Sequence, residues 1–341
     1  MQEIELKFQI PPQQVDAARE ALAQAAGRIE PLGLQAAYFD TADSLLARHR
    51  MALRVRREGN DWVQTFKAAG QDAMTRVEDN QATKAPLDGQ IKPDLALHTA
   101  PAVRQALAKA WGREELGTVT SDDLGLKAVY ATRFDRWACR EQHPHGQVIV
   151  CVDIGEVLAG ELREPIQELE IELAEGRAQA VIDTARHWVD QHGVWLDVQS
   201  KAYRGTRLAR AAREGQAAPA IPLPNQLDAW LGKGDPNPAK ILSEALDTAA
   251  GNWSEVAAAR PGWPEALLAW HATLSSLAAL AQRHASLRDA LPTAFWQTTD
   301  ELITDLAHQQ SRQPSSGEAQ ALARSACTTH WGLDLLTALR G

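Results

Sequence analysis

Charged side chains alternate with apolar ones at the start of the chain. In residues 2–8 every second position is charged, and these positions are Glu3, Glu5 and Lys7. A period of two is typical of a β-strand, so the three charges should share one strand face. Such a face ordinarily meets solvent in an antiparallel sheet. Its carboxylates are also the hard oxygen ligands that Mg²⁺ prefers, and an ammonium group beside them can bind phosphate.

A second acidic strand is predicted much later in the chain. Residues 167–173 repeat the alternation, with Glu168, Glu170 and Glu172 on one face. A row of carboxylates repels itself unless cations lie against it. The two acidic segments are therefore expected to meet a set of basic side chains in the folded protein.

Basic side chains at the same spacing lie between the two acidic segments. Arg54 and Arg56 share one face of a predicted strand, and Thr65 and Lys67 share one face of the next. A sheet that closes into a barrel with its polar face inward would place these groups around one cavity. Guanidinium groups offer two parallel donors to phosphate oxygens. Such a cavity would suit a divalent cation together with a polyanion.

Length and charge limit the classes of partner. The chain has 341 residues, of which 45% are hydrophobic, and this is enough for two domains with buried cores. The formal net charge of −9 predicts that the whole molecule repels nucleic acid and anionic membranes. A polyanion site must then be a local concentration of arginine and lysine.

The cysteines and the apolar segments predict a cytoplasmic protein. Cys139, Cys151 and Cys327 form no Cys-x-x-Cys pair and leave one odd thiol, which is typical of a reducing compartment. The chain shows no signal peptide at its start and no run of about 20 apolar residues that could span a membrane.

The periodicities predict an α+β fold in two parts. Residues 1–210 should form a closed antiparallel β-barrel, or tunnel, with packing helices, and residues 211–238 should form a linker rich in proline and glycine. A bundle of α-helices is expected over residues 239–341, with helices at about 239–258, 264–288, 295–311 and 317–339.

The first strand also resembles a known family signature. Residues 3–7 match the Glu-x-Glu-x-Lys motif of the CYTH proteins, the triphosphate tunnel metalloenzymes. Further matches follow in the order of that family. They are Tyr38-Phe39-Asp40-Thr41, Leu53-Arg54-Val55-Arg56, Thr65-Phe66-Lys67, Arg76-Val77-Glu78, Arg133 with Arg136, Asp153-Ile154-Gly155, the row from Glu168 to Glu172, and Ser200-Lys201-Ala202-Tyr203-Arg204-Gly205.

The resemblance implies roles for the charged residues. It implies Mg²⁺ or Mn²⁺ as the cofactor, held by Glu3, Glu5, Asp153, Glu168, Glu170 and Glu172. It implies substrate binding by Lys7, Arg54, Arg56, Lys67, Arg76, Arg133, Lys201 and Arg204. It implies catalytic roles for Glu5, Lys7, Arg56 and Lys201.

The implied reaction is metal-dependent cleavage of a phosphoanhydride bond by water. The layout is similar to that of bacterial inorganic triphosphatases, which convert tripolyphosphate to pyrophosphate and phosphate. The same family includes thiamine triphosphatases and class IV adenylate cyclases, and these stay open. A non-catalytic module that binds polyphosphate is a further alternative. The C-terminal helices resemble a CHAD domain by position alone.

Two other polar features can be explained without the cavity. Asp40 either forms a turn or orients an arginine, and the sequence favours neither. His143 and His145 flank Pro144 before a glycine, which predicts an exposed turn rather than a metal site, because histidines at the tip of a loop rarely hold a metal.

Overall fold

A computed structural model describes residues 2–27, 29–69, 74–86, 91–232, 237–311 and 315–340. Nine strands lie within these ranges, and all of their pairings are antiparallel. The strands are β1 (Gln2–Gln9), β2 (Leu32–Asp40), β3 (Met51–Glu58), β4 (Asp61–Ala69), β5 (Thr75–Thr83), β6 (Lys127–His143), β7 (Gly146–Ala159), β8 (Leu162–Gly176) and β9 (Trp195–Leu196).

The described residues also form eleven helices. Those that accompany the sheet are α1 (Val15–Ala26), α2 (Leu45–Arg48), α3 (Pro101–Ala110), α4 (Ala178–His192) and α5 (Lys201–Glu214). Those of the C-terminal part are α6 (Pro238–Ala257), α7 (Trp263–Arg283), α8 (Ala285–Arg288), α9 (Thr293–Ser311), α10 (Ser316–Ala323) and α11 (Ala326–Arg340). Short 3-10 turns lie at Pro12–Gln14, Leu95–Leu97 and Leu227–Trp230.

The strands follow one another in the order β5-β4-β3-β2-β6-β7-β8-β1-β9, and β5 also pairs with β1. This last pairing completes a ring of eight strands. Among the described residues it consists of three pairs, which join Gln2–Ile4 to Thr75–Val77. The predicted antiparallel sheet and C-terminal helices are confirmed, but the sheet is not a regularly closed barrel, because its seam is so short.

The alternation in β1 separates two environments. Leu6 and Phe8 are buried in a large apolar cluster together with residues of α1 and α4. Their charged neighbours lie on the opposite face, where they form ion pairs with residues of β4 and β8. We call this second face, which carries Glu3, Glu5 and Lys7, the inner face of the sheet.

The C-terminal helices share a core with the sheet. The apolar cluster that contains Leu6 and Phe8 also contains Trp253, Trp270 and Trp331 of α6, α7 and α11. Aromatic edges meet faces there, since the Trp253 ring stands 6.2 Å from that of Trp331 at 82°. The tryptophans therefore serve packing. The division into two domains with a linker over 211–238 stays a prediction.

Two of the predicted C-terminal helices are interrupted. The helix expected over 264–288 ends at Arg283, and α8 follows it. The helix expected over 317–339 is divided between α10 and α11, because the Ser325 hydroxyl accepts a hydrogen bond from the Thr328 backbone N–H at 3.1 Å and so begins a new helix. None of the described helices has the length and hydrophobicity that a membrane crossing needs.

Candidate functional site

Lys201 lies at the centre of a buried group of carboxylates. The Ser200 hydroxyl accepts a hydrogen bond from the Tyr203 backbone N–H at 3.2 Å and caps α5, which places Lys201 at the first helical position. Its Nζ is 2.8 Å from Asp153 Oδ2 and 3.0 Å from Glu170 Oε1, and it also contacts Glu168. The side chains of Asp153 and Glu168 are 0% and 1% exposed.

Two arginines complete this group. Arg136 donates from Nε to Asp153 Oδ1 at 2.7 Å and also binds Glu170. Arg204 binds Glu168 through Nη1. Three carboxylates thus face three cations, and the protein itself neutralises the group. Burial would raise the pKa of Glu170, but Lys201, Lys7 and Arg136 hold it well below its usual range. We call Asp153, Glu168, Glu170, Arg136, Lys201 and Arg204 the neutral cluster.

Strand pairing brings these groups together. Asp153 is opposite Glu168 in the β7–β8 register and opposite Arg136 in the β6–β7 register. Directly opposite residues on one face have neighbouring side chains. The oxygens of Asp153, Glu168 and Glu170 lie within 4.8 Å of one another, close enough to share a metal ion. In this structure the Lys201 ammonium takes the place of that cation.

The residues of β1 form a second group beside the first. Lys7 contacts Glu5 and lies 3.6 Å from Glu170. Lys67 lies 3.3 Å from Glu3 and 2.5 Å from Glu78. Burial and a hydrogen bond to Glu78 raise the pKa of Glu3 to about 8, so at neutral pH Glu3 carries a proton that it shares with Glu78.

Glu172 adds to the negative charge of this second group. It is opposite Glu5 in the β1–β8 register. Burial raises its pKa, and the charges of Glu5 and Glu170 raise it further. Lys7 and Lys67 form ion pairs with this group, and the charge of Arg54 acts on Glu78 beside it. We call Glu3, Glu5, Glu78 and Glu172, with Lys7 and Lys67, the acidic cluster. Carboxylate oxygens are the donors that Mg²⁺ and Mn²⁺ prefer, so the acidic cluster has the chemistry for such an ion, whose charge would offset that of the carboxylates.

Arg54 and Arg56 lie on the same inner face. Arg54 Nη1 is 3.4 Å from the Tyr38 hydroxyl, and its Nε is buried without a hydrogen-bond partner among the described residues. Burial would raise the pKa of Tyr38, but Arg54 lowers it. Arg56 donates from Nε to Glu58 at 2.7 Å. Arg56 is thus paired with Glu58, whereas Arg54, whose charge acts on Glu78, keeps its Nε without a partner among the described residues.

An apolar contact bounds this site on the side of Tyr38. The Tyr38 and Tyr130 rings stack with centroids 4.6 Å apart. Helix α5 lies against Tyr130 through Gly205, where a Cβ would stand 2.1 Å from a ring carbon. A glycine is required for this approach. The same helix thus carries Lys201 into the neutral cluster and covers the tyrosines.

Arg133 does not join these clusters. Its side chain is 64% exposed and pairs with Glu156. An odd separation along a strand reverses the face, so Arg133 and Arg136 point to opposite sides of β6. Sequence reasoning assigned substrate binding to Arg133 and left Arg136 out of the site, although Arg136 shares the face of Phe134 and Thr132. The side chain of Arg76 lies outside the described part of the chain. The other predicted site residues lie in or beside the clusters.

Asp40 and the histidine turn lie away from the clusters. Asp40 accepts hydrogen bonds from the backbone of Thr41, Leu46 and Ala47 at 2.7, 2.8 and 3.0 Å, so it forms the turn into α2.

The turn between β6 and β7 has an acidic neighbour that the sequence did not indicate. Asp183 Oδ2 is 3.7 Å from His143 Nε2 and 3.9 Å from His145 Nε2. Both Nδ1 atoms accept from donors, namely the His145 backbone N–H and Arg177. The protons therefore stay on Nε2, which is the opposite of what a metal ligand needs there.

Comparison with known proteins agrees with this arrangement. The CYTH domain model matches residues 1–205. An inorganic triphosphatase of Haemophilus influenzae is 28% identical over 206 residues, which are 60% of this chain and 54% of that protein. The chain thus spans about half the length of this curated relative.

The solved structures that match the chain are more distant in sequence. HpAC1 from Hippeastrum, for which a dominant triphosphatase activity is described, is 19% identical with a TM-score of 0.43, over 64% of this chain and 98% of that one. PH1819 from Pyrococcus horikoshii OT3 is 16% identical with a TM-score of 0.37, over 59% and 97%. The family match covers more than half of the chain, and the chain therefore belongs to the CYTH domain family.

Proposed function

We propose that the inner face of the sheet binds inorganic triphosphate with Mg²⁺ or Mn²⁺ and hydrolyses one phosphoanhydride bond. The observation that carries the proposal is the pairing of a buried, self-neutralised cluster with an acidic cluster and two further arginines on one enclosed face. The carboxylates of the acidic cluster and the Arg54 guanidinium need compensating charges in a buried place, since uncompensated buried charges are costly. A metal ion and a polyanion together would compensate both.

The metal ion would be held by Glu3, Glu5 and Glu172 of the acidic cluster. Asp153, Glu168 and Glu170 were also expected as ligands, but Lys201, Arg136 and Arg204 already bind their oxygens. When bound, such an ion would supply positive charge that stabilises the phosphate oxygens during phosphoryl transfer. We therefore assign Asp153 and Glu168 to positioning of the cations.

The triphosphate would lie along the arginines. A linear triphosphate carries roughly four to five negative charges near neutral pH, so it needs cations on several sides. The Arg54 Nε, which lacks a partner among the described residues, offers it a donor. Arg56, Lys67 and Lys7 line the same face, and Arg136 has a fork that can serve phosphate as well as Glu170.

The side chains would act by position and charge more than by covalent chemistry. Phosphoryl transfer from an anhydride depends chiefly on alignment of the attacking water and on neutralisation of the phosphate oxygens. Arg54 and Arg56 would fix the phosphates, and Glu5 would orient the water. Lys201 is held by three carboxylates, so it acts as a positioning residue, whereas the sequence had suggested a catalytic one.

Phosphate release tests this proposal. The full chain would be incubated with tripolyphosphate, ATP or thiamine triphosphate, each with Mg²⁺, Mn²⁺ or a chelator, and the products separated by anion-exchange chromatography. The proposal predicts pyrophosphate and phosphate in equal amounts from tripolyphosphate, and none with chelator. Cyclic AMP from ATP would indicate the cyclase, and faster cleavage of thiamine triphosphate the thiamine triphosphatase. Binding of polyphosphate without release from any substrate would indicate the non-catalytic module.

A further inference from the structure

One segment carries two cations of the neutral cluster and forms hydrogen bonds with the C-terminal helices. This segment, residues 195–207, contains β9 and the first two turns of α5, with Lys201 and Arg204. Trp253 Nε1 donates to the Leu196 carbonyl at 3.0 Å, and the Leu196 backbone N–H donates to Thr329 Oγ1 at 3.3 Å. The Val198 backbone N–H donates to Ser254 Oγ at 3.3 Å.

The outward face of α5 is tied to α6 as well. The Tyr203 hydroxyl donates to Glu255 at 2.7 Å, and Arg207 Nη1 lies 3.4 Å from the same oxygen. The Glu255 side chain is 2% exposed. Breaking a buried pair by removing one partner is costly, so this contact fixes the helix firmly.

Arg260 extends the link to the sheet. It lies after α6, where it contacts Gln199 and is 3.5 Å from Glu255 Oε2. Its Nη2 is 3.6 Å from Glu164 Oε1, the oxygen that accepts from Arg204 Nε at 2.6 Å. Arg204 in turn binds Glu168, which contacts Lys201. A chain of alternating charges thus runs from the C-terminal helices into the neutral cluster.

The two faces of α5 make different contacts. Lys201 and Arg204 both contact Glu168 of the sheet. Tyr203 and Arg207, which are four residues apart, both contact Glu255 of α6. A shift of α5 along its axis would misplace both cations at once. In buried sites, displacements of about 1 Å can cost 100-fold in rate.

We infer that the C-terminal helices set the position of Lys201 and Arg204, with Arg260 and Glu255 as positioning residues for the inner-face site. The effect on hydrolysis rests on the proposed function, whereas the effect on α5 does not. The C-terminal helices are then part of the working site rather than an independent appendage.

Two measurements on the full chain separate these effects. Hydrogen–deuterium exchange of amides 195–207 reports the order of the segment without reference to activity. Tripolyphosphate hydrolysis with Mn²⁺ gives kcat and KM. The variants are Arg260→Gln, Arg260→Lys as the conservative change, and Tyr203→Phe, which removes one hydroxyl and tests the link if Arg260→Gln does not fold. Arg288→Gln is the matched control, because Arg288 is 55% exposed and pairs with Asp289 within the C-terminal part.

Arg260→Gln and Tyr203→Phe should each raise exchange across 199–207 and lower kcat about tenfold with little change in KM. Arg260→Lys should restore part of kcat, and Arg288→Gln should match the parent in both measurements. Unchanged exchange, or raised exchange with unchanged kcat, overturns the inference. If the parent hydrolyses no triphosphate, the proposed function fails, and the exchange of 199–207 alone then supports or overturns the positioning role.

Discussion

The ammonium of Lys201 lies 2.8 Å from the Asp153 carboxylate, whose side chain has no exposed surface. Asp153 comes from the middle of β7 and Lys201 from the start of α5, so the contact joins the sheet to the segment that follows it. A buried carboxylate needs such a counter-ion. The contact belongs to the cluster that the protein neutralises itself, and we propose that the metal ion binds the neighbouring acidic cluster instead.

Replacement of Lys201 by methionine should destabilise the protein as well as the site. Asp153, Glu168 and Glu170 would lose a shared counter-ion, and removal of one partner from a buried ion pair costs roughly 3–5 kcal/mol. The loss should be smaller at pH 5 than at pH 8, because a protonated carboxyl relieves the repulsion. Urea unfolding at both pH values measures the loss in free energy of unfolding.

The exposed Lys109→Met variant is the control for Lys201→Met and should unfold like the parent. A free energy of unfolding within about 0.5 kcal/mol of the parent for Lys201→Met would fit a surface lysine and would contradict its place in the buried cluster.

The two acidic strands should differ in their contribution to metal binding. Glu172→Gln removes a carboxylate of the acidic cluster and should weaken Mn²⁺ binding at least about tenfold, since hard cations depend on charged oxygen ligands. Glu168→Gln should lower thermal stability and leave Mn²⁺ affinity within about threefold, because its oxygens already bind Lys201 and Arg204. Isothermal titration calorimetry measures the Mn²⁺ affinity of each variant, and thermal unfolding measures the stability of Glu168→Gln. The reverse order of effects would move the metal ion to Asp153, Glu168 and Glu170.

Arg136 and Arg133 test the assignment of faces on β6. Arg136→Gln should lower kcat/KM for tripolyphosphate by about 100-fold, as expected when a buried cation at a reacting phosphate is lost. Arg133→Gln removes an exposed arginine and should change kcat/KM less than twofold. Steady-state phosphate release from the two purified variants decides between them, and equal losses would show that Arg133 reaches the substrate.

The pH dependence of stability should report Asp197. Burial raises its pKa to about 6, although the Gln199 backbone N–H and Arg204 oppose this. Glu168 and Arg324 are the other charged groups that act on it. The folded protein then holds a proton that the unfolded chain releases near pH 4, so this group's contribution to stability is present below pH 4 and is lost as the pH rises through about 6.

Asp197→Asn should remove this dependence. The difference between the two pKa values corresponds to roughly 3 kcal/mol, so the variant should gain up to that amount over the parent at pH 7 and little at pH 4. Asparagine keeps a side-chain oxygen that can accept the hydrogen bond from the Gln199 backbone N–H. Thermal unfolding from pH 4 to pH 8 measures the stability of parent and variant. Parallel curves of stability against pH for the two proteins would contradict a raised pKa at Asp197.

The sequence predicted the sheet and its charged face because period-two alternation needs no tertiary information. Glu3, Glu5 and Lys7 alternate without interruption, and the same holds from Glu168 to Glu172. The pattern places the charges of each strand on one face, since residues two apart cannot lie on opposite faces. The meeting of the two acidic faces depends on the pairing of β1 with β8, in which Glu5 is opposite Glu172.

Other features depended on partners that are remote in sequence. Lys201 reads as a phosphate-binding lysine in isolation, and its three carboxylate partners come from β7 and β8. Asp183 stands 40 and 38 residues from His143 and His145, so local reading could not place it there. The sequence alone can separate Arg136 from Arg133, because Arg136 is two residues from Phe134 and shares its face of β6, whereas Arg133 is adjacent to Phe134 and lies on the other face.

The central claim is that metal and phosphate bind together on the inner face. Crystals of the full chain grown with Mn²⁺ and imidotriphosphate, a non-hydrolysable triphosphate, would show the ion by its anomalous scattering. The account predicts one Mn²⁺ peak bound by Glu5 and Glu172, with phosphate oxygens on Arg54 and Arg56. An ion or triphosphate bound instead on the outer surface beside Arg133 and Glu156, with the inner face empty, would contradict it.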